Sequence, residues 1–170
     1  MGLPSVQSRG TVEQCKLPRT DFDMHFPAPM TGRCLCGAVS LGATPNSPHV
    51  AVCHCDICRR WGGGPLLAVE CDDDVVVNGE DHVVVFASSD WAERGFCREC
   101  GTHLFYRLRQ GGHTAIPVGL FQEYENWQLT QQLFIERKPS FYSFAEKTRH
   151  VTGEELFAEF LANHSGSDST

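Results

Sequence analysis

The chain has no apolar run approaching the length of a transmembrane helix, so no helical membrane span is expected. Met1 to Thr20 holds no apolar core segment and carries Arg9, Glu13, Lys16 and Arg19, so no secretory leader is expected. Basic residues are scarce. Only 14 Lys and Arg stand against 21 Asp and Glu, for a formal net charge of −7. A surface of that sign has no general attraction for phosphate backbones or anionic lipid, and metal-bound thiolates would make it more negative. Neither a nucleic-acid partner nor a membrane partner is expected. No internal repeat and no second domain is visible in 170 residues, a length that supports one domain with a sizeable core. The oligomeric state is left open.

Cysteine is plentiful: nine residues. With no export signal, they read as metal ligands in a reducing cytoplasm rather than as a disulfide framework. Residues 1–28 are expected to be a poorly ordered lead-in. Pro4, Pro18 and Pro27, with Pro29 just beyond, break any helix, and Cys15 there receives no role. Residues 29–164 are expected to form the single domain, followed by a polar tail over residues 165–170.

Within the domain the texture is mainly β. Ala38 to Ala43, Leu66 to Cys71, Val75 to Val77, Val83 to Ala87, Leu104 to Leu108 and Ile116 to Leu120 are short runs rich in Val, Leu and Phe, bounded by turn residues. Leu129 to Ile135 adds another strand. Asn78-Gly79 between Val77 and Val83 predicts a hairpin. Thr152-Gly153-Glu154-Glu155 is a capping box. Leu156, Phe157, Phe160 and Leu161 follow at helical spacing, which predicts a short amphipathic helix over Gly153 to Asn163, packed on the sheet.

Seven cysteines fall in three tight groups: Cys34 and Cys36; Cys53, Cys55 and Cys58; Cys97 and Cys100. Gly101 follows Cys100, where φ > 0 lets the chain turn and point N–H groups at the sulfurs. A thioredoxin-type redox role lacks its βαβ context. Spacing leaves the partition open. Cys55 and Cys58 with Cys97 and Cys100 would make a zinc ribbon; Cys34 and Cys36 with Cys97 and Cys100 would leave Cys53, Cys55 and Cys58 as a trio. Two closed zinc sites need eight ligands, so either a histidine completes one site or that site is open. His54 is one candidate, as eighth ligand or proton shuttle, although a side chain turned away from the metal is the simpler expectation. Cys71 reads as a buried strand residue.

The ordered motifs Gly32-Arg33-Cys34-Leu35-Cys36-Gly37, Cys53-His54-Cys55-Asp56-Ile57-Cys58-Arg59-Arg60-Trp61 and Phe96-Cys97-Arg98-Glu99-Cys100-Gly101-Thr102 resemble the glutathione-dependent formaldehyde-activating enzyme family, with its centromere protein V-like domain. The resemblance covers roughly Thr31 to Phe160. It implies an Mss4-like β-sheet fold with zinc knuckles, a short C-terminal helix and two zinc ions per chain. It also implies that Cys34, Cys36, Cys97 and Cys100 hold a structural zinc, and that Cys53, Cys55 and Cys58 hold a catalytic one open to a substrate thiol.

Chemistry narrows the reaction independently. Zn²⁺ with three thiolates carries a formal charge of −1 and is a weak Lewis acid, so water activation is a poor use of it. A fourth thiolate suits it better, since a free thiol of pKa ~8.5 is mostly protonated at neutral pH. Condensing that thiolate with a small aldehyde makes an S-hydroxymethyl adduct, and the reverse is a carbon–sulfur lyase reaction. Arg59 and Arg60 suit a carboxylate of a glutathione-like thiol, and Gly62-Gly63-Gly64, with Gly63 at its centre, lets a peptide-like ligand approach the backbone. Ser88, Ser89 and Asp90 are candidates for lining the cleft, whereas His103, Arg107 and Arg109 read as structural or surface residues. The competing function is a non-catalytic zinc β-module that binds another protein.

Overall fold

The structure, a computed structural model, describes residues 28–121 and 126–164. The expectations for the lead-in, for Cys15 and for the tail from residue 165 fall outside these residues, Ala28 apart. In chain order the elements are β1 (Met30–Arg33), β2 (Ser40–Ala43), β3 (His49–Cys53), α1 (Asp56–Gly62), β4 (Leu66–Glu70), β5 (Val75–Asn78), β6 (Val83–Ala87), β7 (Ala92–Cys97), β8 (His103–Leu108), β9 (Thr114–Pro117), β10 (Gln128–Leu133), β11 (Arg149–Val151) and α2 (Gly153–His164). The fold is mainly β, with one short helix inside the chain and one at its C-terminal end. Among the described residues no helix is long and apolar enough to cross a membrane.

Two sheets share one core. The small one runs β1-β2-β5, all antiparallel; the large one runs β11-β10-β3-β4-β9-β8-β7-β6. In the large sheet β10 lies parallel to both β3 and β11, and the remaining pairs are antiparallel. Period-two alternation sends Leu41 and Ala43 of β2 inward, where they meet Val50, Val69, Leu104, Phe105 and Ile116 from the large sheet. Each such aliphatic or aromatic side chain contributes about 1.5–3 kcal/mol by leaving water. The register sets Cys53 opposite both Leu66 and Leu133, so the first ligand of the trio ends a central strand.

α2 forms where the capping box places it. Glu155 N–H donates to Thr152 Oγ1 at 3.2 Å, and the Glu155 carboxylate accepts the Thr152 N–H at 2.8 Å. Its packing is looser than expected: Phe157 meets the Phe134 ring edge-on, yet Phe157 and Leu161 are more than half exposed.

The expected hairpin at Asn78-Gly79 does not form. β5 pairs with β2 in the small sheet and β6 with β7 in the large one. Gly79, at φ 81°, opens a 3₁₀ turn over Glu80–His82, closed by His82 N–H on Gly79 C=O, that carries the chain between sheets. A local turn signal was thus used for a crossover, because Val75 and Val77 gain more by covering the core with β2 than by pairing with their sequence neighbours. The expected strand at Ile116 to Leu120 is likewise split, with Val118–Leu120 in a 3₁₀ turn after β9.

Gly79→Ala should lower stability by about 2 kcal/mol or more, because a Cβ there would lie 2.2 Å from the Ala38 carbonyl oxygen at a left-handed φ. Gly42→Ala, whose Cβ meets only Val76 at 3.9 Å, is the control and should melt at or slightly above the wild-type temperature. Equal midpoints for the two variants in thermal or denaturant unfolding would refute the crossover assignment of Gly79.

Candidate functional site

The structure gathers the seven grouped cysteines into two sulfur clusters. Cys34, Cys36, Cys97 and Cys100 form one and Cys53, Cys55 and Cys58 the other, with the sulfurs of each all within 4.8 Å of one another. All seven are free thiols. The zinc-ribbon pairing of Cys55 and Cys58 with Cys97 and Cys100 is therefore not the arrangement seen.

The four-sulfur cluster joins two knuckles. Cys34 follows β1, and Gly37 N–H returns to Cys34 C=O at 3.1 Å; Cys97 ends β7, and Gly101 N–H returns to Cys97 C=O at 2.8 Å. Gly101 holds φ 72°, as its place after Cys100 suggested. Cys34 Sγ and Cys36 Sγ lie 3.5 Å apart, and Cys36 Sγ and Cys97 Sγ 3.8 Å. Four sulfurs about 2.3 Å from a tetrahedral zinc would be roughly 3.8 Å apart, so this cluster fits that ion. Val39 N–H donates to Cys34 Sγ, and Thr102 Oγ1 lies 3.2 Å from Cys100 Sγ.

The three-sulfur cluster sits where β3 gives way to α1. Cys55 caps the helix, its sulfur accepting the Cys58 N–H at 3.4 Å, and Cys58 occupies the buried face of the first turn. The thiols oppose one another's ionisation. Contact with Cys53, then Cys58, and the helix N–H groups hold the Cys55 thiol down at about 2, whereas Cys55, Cys58 and burial raise Cys53 far above the ordinary thiol range. Contact with Cys53 and, less strongly, the Arg94 guanidinium pull Cys58 down, but Cys55 and burial outweigh them. One thiol thus ionises readily and its neighbours resist, because close thiolates repel one another when no cation lies between them. The same holds in the other cluster: against the Ala38 N–H, which pulls it down, the Cys100 and Cys34 thiols push Cys36 up to about 12. The Thr102 hydroxyl meanwhile brings Cys100 down to about 5.

Among the described residues no fourth His, Cys, Asp or Glu joins Cys53, Cys55 and Cys58. His54 stands between two of them yet faces elsewhere. It is fully buried, its Nε2 donating to Gln132 Oε1 at 3.0 Å and its Nδ1 taking the Tyr142 hydroxyl at 2.8 Å. Burial lowers its pKa, which keeps it neutral, and Gln132 is held in turn by Thr148 at 2.7 Å. Both ring nitrogens are occupied, so His54 has no lone pair to offer a metal.

Of the expected ligand-binding residues, Arg59 is already engaged. Its Nε donates to His54 C=O at 2.9 Å and its Nη2 to Asp56 at 2.6 Å. Asp56 also lies 3.6 Å from Arg137. Arg60 is exposed on α1, and Gly63 is exposed, ending that helix at φ 74°. Cys71 is fully buried outside both clusters, where burial and the Asp72 carboxylate raise its thiol to about 12. Ser88 receives the Arg94 guanidinium, Ser89 Oγ accepts the Ala92 N–H, and Asp90 C=O accepts from Arg109. His103 meets the Trp61 ring at a tilt, with centroids 4.4 Å apart, and Arg107 pairs with Glu93.

Arg94 had no place in the sequence reading. It lies inside β7, is 4% exposed, and reaches Cys58 Sγ with Nη2 at 3.5 Å. Its guanidinium carbon stands 5.0 Å over the Tyr106 ring. The signal available in the sequence was slight: an arginine three residues before a cysteine knuckle.

Residues 29–137 match the model of the glutathione-dependent formaldehyde-activating enzyme family. An uncharacterised lyase of Schizosaccharomyces pombe is 38% identical over 131 residues, which cover 76% of this chain and 96% of that protein. Proteins of Halomonas elongata and Podospora anserina, both provisionally named glutathione-dependent formaldehyde-activating enzymes, are 31% and 32% identical over 45% and 59% of this chain. The chain spans about half the length of those two, 54% and 51%. A crystal structure of a Rhodobacter sphaeroides protein shares the fold at 24% identity and a TM-score of 0.50, over 56% of this chain and 91% of that one.

Purified protein should contain two zinc ions per chain. Cys97→Ser should unfold the domain, because metal binding at that cluster is folding free energy, whereas Cys55→Ser should leave a folded protein with one zinc. Metal analysis paired with circular dichroism decides this. Equal unfolding of both variants would overturn the division into a structural and a reactive cluster.

Proposed function

Because the chain belongs to the glutathione-dependent formaldehyde-activating enzyme family, we propose that it is a zinc-dependent carbon–sulfur lyase that joins a thiol, glutathione in the first instance, reversibly to formaldehyde or a similar small aldehyde. The observation that carries this is the mismatch between the two clusters: one has four sulfurs, the other three, and the nearest histidine to the second is occupied at both nitrogens. A binding module has no use for an incomplete metal site.

In this reading Cys53, Cys55 and Cys58 would hold a zinc ion, and that ion would favour the thiolate of a substrate over its thiol. Cys55 presents its sulfur at the helix start, and Cys58 is buried beneath the first turn. The substrate sulfur attacks the aldehyde carbon, the carbonyl electron pair moves to oxygen, and oxygen takes up the proton given up by the thiol. A carbon–sulfur bond forms with no net oxidation. Arg60, exposed on α1, is the better placed of the two arginines for a substrate carboxylate, since Arg59 is spent on Asp56 and the His54 carbonyl.

Cobalt-substituted protein should gain sulfur-to-metal charge-transfer absorbance on titration with glutathione and release about one proton per site. Formaldehyde added afterwards should perturb that band, as the hydroxymethylated sulfur becomes a weaker donor. Arg60→Ala should weaken glutathione about fivefold relative to an uncharged thiol, the scale of one exposed charge pair. A spectrum that ignores glutathione and every other small thiol would favour the protein-binding module instead.

A further inference from the structure

Arg94 is the one side chain with a permanent charge in the buried set among the described residues, and no carboxylate there pairs with it. A guanidinium cannot escape burial by losing its proton. It therefore needs a standing negative charge nearby, and the sulfur it touches is Cys58. Ser88 fixes one end of the fork, the Tyr106 ring backs the other, and Nε is buried with no hydrogen-bond partner. Among the described residues no such cation touches the four-sulfur cluster, whose sulfurs meet the Val39 N–H and the Thr102 hydroxyl.

We propose that Arg94 is a positioning residue that makes the three-cysteine centre receptive to an anionic fourth ligand. This rests on the metal-site reading above. Three thiolates and one divalent cation sum to −1, and Arg94 returns the centre to neutrality. An arriving thiolate then takes the total to −1 rather than to −2. The guanidinium discriminates by charge: it favours an anion in the fourth position and is indifferent to a neutral donor there. It also withdraws electron density from Cys58 alone, leaving Cys53 and Cys55 as the stronger donors.

The test uses cobalt-substituted protein and three probes: glutathione, azide as a small anion, and imidazole as a neutral ligand. Arg94→Gln should bind glutathione and azide about ten- to hundredfold more weakly, while imidazole affinity changes less than about threefold. Arg94→Lys should recover most of the anion affinity, because it keeps the charge and loses the fork. Should Arg94→Gln fail to fold, as loss of the metal from the four-sulfur cluster would report, Ser88→Ala decides: a smaller loss of the same anion-selective kind supports the role, and wild-type affinities for all three probes overturn it. Equal weakening of all three probes in Arg94→Gln also overturns it, since that is general damage. Glutathione bound equally by wild type and Arg94→Gln would sink this inference and leave the lyase reading intact. Azide bound in an Arg94-dependent way by a protein that takes up no thiol would do the reverse.

Discussion

Seven sulfur atoms in two clusters cannot ionise side by side without a cation between them, and the rest of the molecule is arranged around that constraint. In each cluster one thiol is held low and another is driven up, so the unmetallated donor sets are internally frustrated. A divalent ion relieves both. The consequences differ because the clusters close very different loops. Cys36 and Cys97 are 61 residues apart and join the β1–β2 turn of the small sheet to the β7–β8 turn of the large one. Cys53, Cys55 and Cys58 lie in one strand-to-helix corner and tie nothing distant together. On the proposed reading, metal in the first cluster would bear on the whole fold, and metal in the second would be at liberty to do chemistry.

Among the described residues no fourth His, Cys, Asp or Glu joins the three-sulfur cluster, and local geometry explains why His54 does not. A β-strand turns alternate side chains to opposite faces, so Cys53 and His54 diverge at the end of β3. Cys55 then starts α1 on the side of Cys53, and His54 is left pointing into a polar clamp. Gln132 reaches it from β10 and Tyr142 from the segment beyond, with Thr148 behind Gln132. Tyr142 and Thr148 lie past residue 137, where the match to the family model ends. The C-terminal part of this chain thus supplies part of what keeps its most available histidine away from the metal position.

Much of the fold was legible, and the omission of β3, α1 and β7 has one cause. Val-rich runs marked β5 and β6, Leu- and Phe-rich ones β4 and β8, and the capping box marked α2. β7 was missed because Arg94 and Gly95 stand buried in its middle, where a strand normally shows Val or Ile. The arginine answers to a sulfur, and the glycine is needed because a Cβ there would sit 2.4 Å from the Phe105 ring. β3 and α1 were hidden by the cysteines, whose metal spacing overrides the periodicity of either element. Gly63, expected beside a peptide-like ligand, also ends α1 in the left-handed region. The hairpin was misread since turn chemistry states that the chain bends, not which strand it will pair with next. Local signals fail where the site uses residues for something other than packing.

Cys58 and Arg94 show why the site was the hardest part to read. A cysteine count announces a metal site, and its ligands declare themselves by spacing. The groups that set the character of that site carry no spacing rule, because they come from a different strand and act through one atom. Two clusters with the same donor chemistry can then behave differently. Four thiolates around a divalent ion carry −2 and repel a further anion. Three carry −1, and a guanidinium buried against one of them cancels that charge. Desolvation strengthens the effect, since a cation 4% exposed is screened far less than one on the surface. In the proposed reading, what would separate a structural knuckle from a thiolate-accepting centre is one missing sulfur and one buried arginine.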